Sequence, residues 1–338
     1  MNNTSIQEEK KSKFTQFLKI TVPLALGLVI LYFLYRDTDF NQLWKTIKDA
    51  NWAILTFSLI FGLSGNVIRG LRWELIINPL GYYPRRSNLI YAVLGNYAVN
   101  FALPRAGEIW RCGVISKEEK IPFKKIIGTL IVDRIFDTIM VALILLLAFI
   151  CNVPLFLKKS GEFNIPAFLT SIWFYFLCLL AVGAVIFILM FFKENRIVKS
   201  IREFLSSMWN DMKAVQKMKK KKLFLFYTVS IWVSYFLYFY ITFYAFDFTA
   251  HLGIAAGLFV FALSSISMAI PSNGGLGPWQ ASVVFALVAF TIKSSQAIAF
   301  ATAVFTFQSI WVVACGLFGI AALSFNKPKK QNTIQTKL

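Results

Sequence analysis

The chain has 338 residues, of which 57% are hydrophobic and 15% charged, and its formal net charge is +19. Soluble domains carry about 25% charged residues, so this composition excludes a single water-soluble core. The basic residues lie between apolar runs, where the preference of lysine and arginine for cytoplasmic loops explains them, and we therefore expect no nucleic-acid partner.

Six apolar runs are predicted to cross a membrane as α-helices. In chain order they are residues 20–35, 52–68, 126–150, 167–192, 223–246 and 297–325. The last three contain no charged residue and exceed the roughly 20 residues that a helix needs to cross the hydrocarbon layer. Residues 1–16 and 326–338 are predicted to be tails that flank a transmembrane domain at residues 17–325.

Two further apolar stretches are predicted to be helical hairpins. The first runs along residues 88–103, turns near Pro104 to Gly107 and returns to Ser116. A full crossing by residues 88–103 would leave the lysines that follow them outside the cell, against the positive-inside rule, so we predict a re-entrant hairpin. The second hairpin has arms at residues 252–270 and 278–292, and these arms are either re-entrant or full crossings.

The order of crossings and hairpins predicts an inverted-topology repeat within an all-α, polytopic helical bundle. Each half, about residues 17–150 and 167–325, has two crossings, a hairpin broken by proline or glycine, and a third crossing, so the second half is inverted. The basic segment 193–222 is predicted to be a cytoplasmic amphipathic helix. Both termini are then cytoplasmic, in a bacterial-type inner membrane.

Charged and amide side chains at the two turns are predicted to bind a ligand. Arg105, Glu108 and Arg111 follow Pro104 at intervals of three residues, which predicts that they share one helical face. Ionisable residues inside a membrane normally face a partner or a wet cavity, and the planar donors of arginine suit a phosphate. The predicted substrate-binding residues are Arg105, Glu108, Arg111, Asn96, Asn100, Asn273, Gly274, Gly275 and Gly277.

Three charged residues lie inside the crossing that follows the first hairpin. Asp133, Arg134 and Asp137 form either a self-neutralising structural network or a part of the ligand site, and the sequence leaves both interpretations open. In the first case we expect them to fix the hairpin by pairing with Arg105 or Arg111.

The other conspicuous polar residues are interpreted without a catalytic or metal-binding role. Arg69, Arg72 and Trp73 are predicted to lie at the cytoplasmic interface, as snorkelling arginines beside an interfacial tryptophan. The single histidine, His251, excludes a histidine-based metal centre, and the four cysteines are scattered along the chain. We therefore expect no metal, no other cofactor and no catalytic residue.

These motifs resemble the flippase-like family built on the transmembrane region of lysylphosphatidylglycerol synthases, which is the membrane domain of multiple peptide resistance factors. The resemblance covers about residues 17–325 and is carried by Arg72-Trp73, Asn100, Leu103 to Glu108 with Arg111, Asp133-Arg134 with Asp137, and Pro271 with Asn273 to Gly277. It implies the transfer of lipid between leaflets by a stand-alone member without a synthase domain. An acidic residue often follows the glycine turn in that family, and Gln280 stands there in this sequence, which argues against a proton or cation role for that position.

The resulting hypothesis is a membrane protein that moves or binds a phospholipid or another phosphate-bearing lipid and is not an enzyme. The expected partners are membrane phospholipids, anionic or aminoacylated ones included, and oligomerisation is left open. Two alternatives remain at this point, a membrane-embedded transferase acting on a polyprenyl-phosphate lipid and a solute or ion transporter.

Overall fold

The computed structural model describes residues 25, 28–36, 38–159 and 219–325. The predicted crossing 167–192, most of the basic segment 193–222, the beginning of the crossing 20–35 and both tails lie outside the described residues. One compact unit comprises Met1–Ala148 and Lys222–Leu338, and a second unit comprises Phe149–Lys221.

The chain enters the bundle through two helices that begin at side-chain caps. After the helical residues 28–35 come α1 (Phe40–Lys48) and α2 (Trp52–Ile77). Asp39 caps α1 and Asn51 caps α2, each accepting hydrogen bonds from two backbone N–H groups of the first turn, which satisfies donors that the helix itself leaves free.

The first hairpin consists of α3 (Arg86–Ala102) and α4 (Ala106–Glu118), joined by three residues, and is followed by the long helix α5 (Phe123–Lys159). The break falls at Leu103, Pro104 and Arg105. The residue before a proline is driven out of the helical region, and Leu103 is extended at φ −130° and ψ 108°. Arg105 then adopts the left-handed conformation at φ 60°, which reverses the chain direction.

The second hairpin has the same plan. It follows α6 (Lys221–Tyr240), a 3₁₀ turn at Ile241–Ala245 and the short α7 (Asp247–Ala250), and it consists of α8 (Ile254–Ser267) and α9 (Pro278–Ala289) before the final helix α10 (Ser294–Phe325). Gly274, Gly275 and Gly277 in its turn have φ values of 60°, 89° and 88°. These left-handed angles favour glycine, so the glycine-rich sequence explains why the turn forms here.

Small residues bring the helices of the two halves close together. Gly62 and Gly65 of α2 lie against the rings of Tyr238 and Tyr235 of α6, and Gly316 of α10 lies against α3. A side chain at any of these glycines would overlap its neighbour, because the ideal Cβ positions lie between 2.5 and 2.9 Å from the nearest atom. This packing is typical of helices inside a membrane.

The predicted all-α, polytopic membrane fold is confirmed. Four helical spans of the described residues are long and apolar enough to cross a membrane, namely Trp52–Leu80, Phe123–Val153, Lys221–Ala245 and Ser294–Phe325. They contain the predicted crossings at residues 52–68, 126–150 and 297–325 completely, and the predicted crossing at residues 223–246 except for Phe246.

The sequence left open whether the arms of the second hairpin are re-entrant or cross the membrane fully, and the lengths of their helices bear on this choice. At about 1.5 Å per residue, α8 and α9 are about 21 and 18 Å long, shorter than the hydrocarbon layer of about 30 Å. Length therefore favours re-entrant arms over full crossings. A long helix, a hairpin and a long helix occur in that order twice, in α2–α5 and in α6–α10, whereas the inverted orientation of the halves stays a prediction.

Candidate functional site

A cluster of ion pairs is buried between α2, α4 and α5, and we call Arg69, Arg72, Arg111, Asp133 and Asp137 the charged cluster. Asp133 is at its centre. Its Oδ1 accepts from Arg72 Nη2 at 2.5 Å and from Arg72 Nε at 3.1 Å, and its Oδ2 accepts from Arg111 Nη2 at 3.0 Å. All three side chains are fully buried, so the contacts are shielded from water and salt.

Asp137 completes the charged cluster one helical turn further along α5. Its Oδ2 lies 2.6 Å from Arg69 Nη1 and its Oδ1 lies 2.7 Å from Arg72 Nη2. Because residues three or four apart share a helical face, Arg69 and Arg72 on α2 present one surface to the matching surface of Asp133 and Asp137 on α5.

The charged cluster holds more positive than negative charge. Its three arginines are all less than 5% exposed and face two buried aspartates, so one positive charge is in excess. At the edge, the half-exposed Arg134 pairs with Glu108 of α4 at 2.8 Å and lies 3.4 Å from Asp137. This edge pair connects the buried charges to the accessible side of the first hairpin.

Aromatic and hydroxyl groups surround the charged cluster. The guanidinium of Arg111 stacks over the ring of Trp73, 4.7 Å from its centroid, and the indole N–H of Trp73 donates to Thr129 Oγ1 at 2.9 Å. In the described part of the chain, Arg111 Nε and Nη1 have no hydrogen-bond partner. The ring face of Trp73 therefore provides the main compensation for that side of the guanidinium.

A second hydrogen-bonded chain runs from the charged cluster to α3. Arg69 Nε donates to the hydroxyl of Tyr235 at 3.3 Å, and that hydroxyl donates to Asn66 Oδ1 at 2.8 Å and is 3.0 Å from the hydroxyl of Tyr97. Sequence reasoning missed Tyr97 and Tyr235 because tyrosines are common in membrane helices. Asn66, an amide inside a crossing, was the signal that could have located this group.

The exposed, snorkelling arrangement predicted for Arg69, Arg72 and Trp73 is not what the structure shows, whereas their depth relative to the membrane interface stays a prediction. Arg69 is 4% exposed, and Arg72 and Trp73 are fully buried. Snorkelling would require their polar ends to reach water, whereas both arginines are neutralised by aspartates on α5. In the predicted network, Asp133 pairs with Arg111 but not with Arg105. Asp137 pairs with Arg69 and Arg72 instead of Arg105 or Arg111.

The predicted common face of Arg105, Glu108 and Arg111 does not exist as one surface. Arg105 is exposed and precedes the first turn of α4, so helical spacing does not apply to it. Glu108 is half-exposed, and Arg111 points into the charged cluster. Of these three residues, Arg105 and Glu108 are therefore the ones that a ligand can reach without breaking the charged cluster.

Asn100 joins the two arms of the first hairpin, and Asn96 lies beside the same contact. Asn100 Oδ1 accepts from the backbone N–H of Gly107 at 2.8 Å, and a side chain at Gly107 would overlap the carbonyl of Asn96. Asn96 is 2% exposed, and its Oδ1 has no partner among the described residues. The amide of Asn100 thus has a structural contact, while Asn96 offers an unused buried acceptor.

The turns of the two hairpins touch each other, and we call the contact between Phe101, Arg105, Ala269, Asn273 and Gly274 the tip contact. Asn273 Nδ2 donates to the carbonyl of Phe101 at 3.2 Å, and Arg105 Nη2 donates to the carbonyl of Ala269. Gly274 lies against the ring of Phe101. Residues from positions 101–105 and 269–274 thus form one structure next to the half-exposed Glu108.

The remaining residues of the second turn have local roles. The backbone N–H of Gly277 donates to Gln280 Oε1 at 2.7 Å, and Gly275 lies against Met268. Gln280, the position at which this chain departs from the resembled family, is therefore used as a helix cap. Among the described residues, no group of three or more His, Cys, Asp or Glu side chains could hold a metal ion.

Comparisons with known proteins match most of the chain to one family. Glycosyltransferase AglD of Haloferax volcanii is 29% identical over 126 residues, which are 37% of this chain and 19% of that protein. UPF0104 membrane protein MJ1595 of Methanocaldococcus jannaschii is 27% identical over 123 residues, which are 36% of this chain and 37% of that protein.

The match covers about a fifth of the length of the glycosyltransferase and somewhat more than a third of the length of the UPF0104 protein. No solved structure matches the chain at a significant level. The family model of the lysylphosphatidylglycerol synthase transmembrane region, in contrast, matches residues 20–316. The chain belongs to the family of the lysylphosphatidylglycerol synthase transmembrane region.

Proposed function

We propose that this protein moves a phospholipid or another phosphate-bearing lipid between the leaflets of the membrane. The observation that carries the proposal is the tip contact, where two hairpins broken inside apolar sequence meet beside an exposed arginine. Irregular backbone at membrane depth is tolerated only where it is buried in protein or lines a cavity, and in transporters with such broken helices the substrate site lies between them.

The charges around the tip contact suit an anionic headgroup. Arg105 presents a planar fork of donors to a phosphate, and the charged cluster contains one buried positive charge in excess. Glu108, which pairs with Arg134, supplies a carboxylate that accepts a hydrogen bond from an amine on the same headgroup. The partners in this proposal are membrane phospholipids, anionic or aminoacylated ones included.

The proposed location is a bacterial-type inner membrane, with both termini and the basic segment 193–222 on the cytoplasmic side. The support is the charge distribution of the sequence, because lysine and arginine concentrate in cytoplasmic loops. Asn96, Asn100, Asn273 and the glycines of the second turn shape the site in this proposal, and Arg111 orients α4 through Asp133.

A second candidate function is the transfer of a group to or from a polyprenyl-phosphate lipid. One observation favours it, since a relative that matches 37% of this chain is named a glycosyltransferase. The match covers 19% of that relative, so most of the sequence that its name describes lies outside the match. A phosphate-bearing lipid would be the ligand in both candidates.

The experiment that separates these functions uses purified protein in vesicles of phosphatidylglycerol and phosphatidylethanolamine. A fluorescent phospholipid is bleached from outside by an impermeant reductant, and transport predicts that the protected inner-leaflet fraction is lost at a rate proportional to protein content. Vesicles in which that fraction persists, but which release ions or form a labelled product, would support a transporter of small solutes or a transferase instead.

A further inference from the structure

The tip contact joins two helix ends that cannot satisfy their own backbone carbonyls. Phe101 lies in the last turn of α3, and Ala269 lies two residues beyond the end of α8. The last carbonyls of a helix have no intrahelical donor and carry partial negative charge. The carbonyl of Phe101 therefore needs a donor from elsewhere in the fold, and the carbonyl of Ala269, in the turn after α8, accepts no backbone N–H among the described residues.

Each hairpin supplies the donor that the other hairpin needs. The amide of Asn273, from the second turn, donates to the carbonyl of Phe101 at 3.2 Å, and the guanidinium of Arg105, from the first turn, donates to the carbonyl of Ala269. The two bonds are reciprocal, so separation of the tips would leave both helix ends without partners at once.

Arg105 is the one charged member of this arrangement, and its acceptor is neutral. It is also exposed, and its backbone is in the left-handed region, which residues with a side chain rarely adopt. An arginine and a phosphate carry opposite charges and often form two parallel N–H···O bonds, whereas the Ala269 carbonyl offers Arg105 a single neutral oxygen. A phosphate oxygen is consequently a better acceptor for Arg105 than the Ala269 carbonyl that it contacts.

We propose that the tip contact is a gate which a phosphate group opens by replacing the carbonyl of Ala269 as the acceptor of Arg105. With Arg105 withdrawn, the contact retains the neutral bond from Asn273 and the packing of Gly274 against Phe101, and the tips separate. Without a phosphate group, the reciprocal bonds keep the tips together. The inference rests on the proposed lipid transport and adds to it that the headgroup itself releases the gate.

The test measures how fast the tips can be cross-linked. In a chain whose four cysteines, Cys112, Cys151, Cys178 and Cys315, are replaced, the changes Phe101→Cys and Gly274→Cys are combined. The first change removes the ring that a side chain at position 274 would overlap, and it leaves the Phe101 carbonyl in place. A short, reducible bifunctional thiol reagent then joins the two positions when the tips are together.

Two results are expected from this double variant. In vesicles, cross-linking abolishes the lipid exchange that the same double variant shows before treatment, and reduction restores it, while a monofunctional thiol reagent leaves the exchange rate of the double variant unchanged. In detergent, added phosphatidylglycerol slows cross-linking, whereas a galactosyl diacylglycerol without phosphate does not. Inorganic phosphate is tested separately, and slowing by it as well would show that the phosphate group suffices without the lipid.

The inference about the gate is overturned if cross-linked protein exchanges lipid at the unmodified rate, or if phosphatidylglycerol leaves the cross-linking rate unchanged. Adding Arg105→Gln to the double variant should remove the dependence on phosphatidylglycerol, and a dependence that persists would also overturn it. Failure of the proposed function is a different result, because the unmodified protein would then show no lipid exchange in vesicles whatever the cross-linking rates are.

Discussion

Arg72 donates from both Nε and Nη2 to a single oxygen of Asp133, at 3.1 and 2.5 Å, and neither side chain is exposed. Removing the carboxylate leaves Arg72 and Arg111 buried without their shared partner. Breaking a buried ion pair in this way costs about 3–5 kcal/mol. We therefore expect Asp133→Asn to lower the melting temperature strongly in detergent, as followed by size-exclusion chromatography of heated samples.

The control for this change is Asp49→Asn, which alters an exposed aspartate at the end of α1. It should leave the melting temperature within experimental error. If Asp133→Asn is as stable as Asp49→Asn, the ion pairs of the charged cluster contribute little to folding.

Exchange of charges should identify the partner of Asp137. Asp137→Arg introduces another cation beside Arg69 and Arg72, and we expect little folded protein. Because Arg69 Nη1 lies 2.6 Å from Asp137, adding Arg69→Asp should restore a large part of the monodisperse yield. Adding Arg105→Asp should not, since Arg105 donates to Ala269 instead. Equal rescue by both second changes would contradict the observed pairing.

Conservative changes of arginine to lysine should distinguish an arginine that binds the ligand from one that stabilises the fold. Arg105→Lys keeps the charge and loses the fork, so it should fold normally and lose one charge-assisted hydrogen bond to the lipid phosphate. That loss is about 1.5–3 kcal/mol, or about one to two powers of ten in headgroup affinity. Arg111→Lys should instead lower stability, because the buried guanidinium stacks on Trp73 and pairs with Asp133.

The matched control for both is Arg86→Lys. Arg86 is the exposed first residue of α3, and it pairs with Glu74 of α2. All three variants are compared in vesicles at equal amounts of folded protein. If Arg105→Lys exchanges lipid as fast as Arg86→Lys does, Arg105 does not bind the transported headgroup.

Cysteine labelling should determine the orientation in the membrane. We expect Lys220→Cys to be protected from an impermeant thiol reagent in intact cells and labelled after lysis, because the basic segment is predicted to be cytoplasmic. Thr38→Cys, in the predicted outer loop before α1, should be labelled in intact cells. Labelling of position 220 from outside would be incompatible with the inverted-repeat topology.

The features that sequence predicted well depend on neighbouring residues. Pro104 ends α3 through its effect on Leu103, and the glycines at 274–277 form the second turn because their φ values require it. Such rules act within a few residues, so both hairpins and the four long helices could be located. The cap that Asn100 provides to Gly107 spans seven residues and lay beyond those rules.

The features that sequence missed join distant parts of the chain. Arg69 and Asp137 are 68 residues apart, and Asn273 and Phe101 are 172 apart. An arginine near the end of an apolar run fits snorkelling and burial equally well until its partner is known. The same argument explains Arg105, whose acceptor is a backbone carbonyl that no side-chain pattern reveals.

The distance along the chain between the arginines of α2 and their aspartates has a consequence for biosynthesis. An ionisable side chain in an inserting helix is unfavourable unless it finds a partner, and α2 carries Arg69 and Arg72 near its C-terminal end. Their partners Asp133 and Asp137 leave the ribosome more than 60 residues later. We therefore expect the second apolar segment to be less stable in the membrane by itself than in the folded protein. Its insertion should become fully stable once α5 is synthesised and the two helices form a neutralised pair.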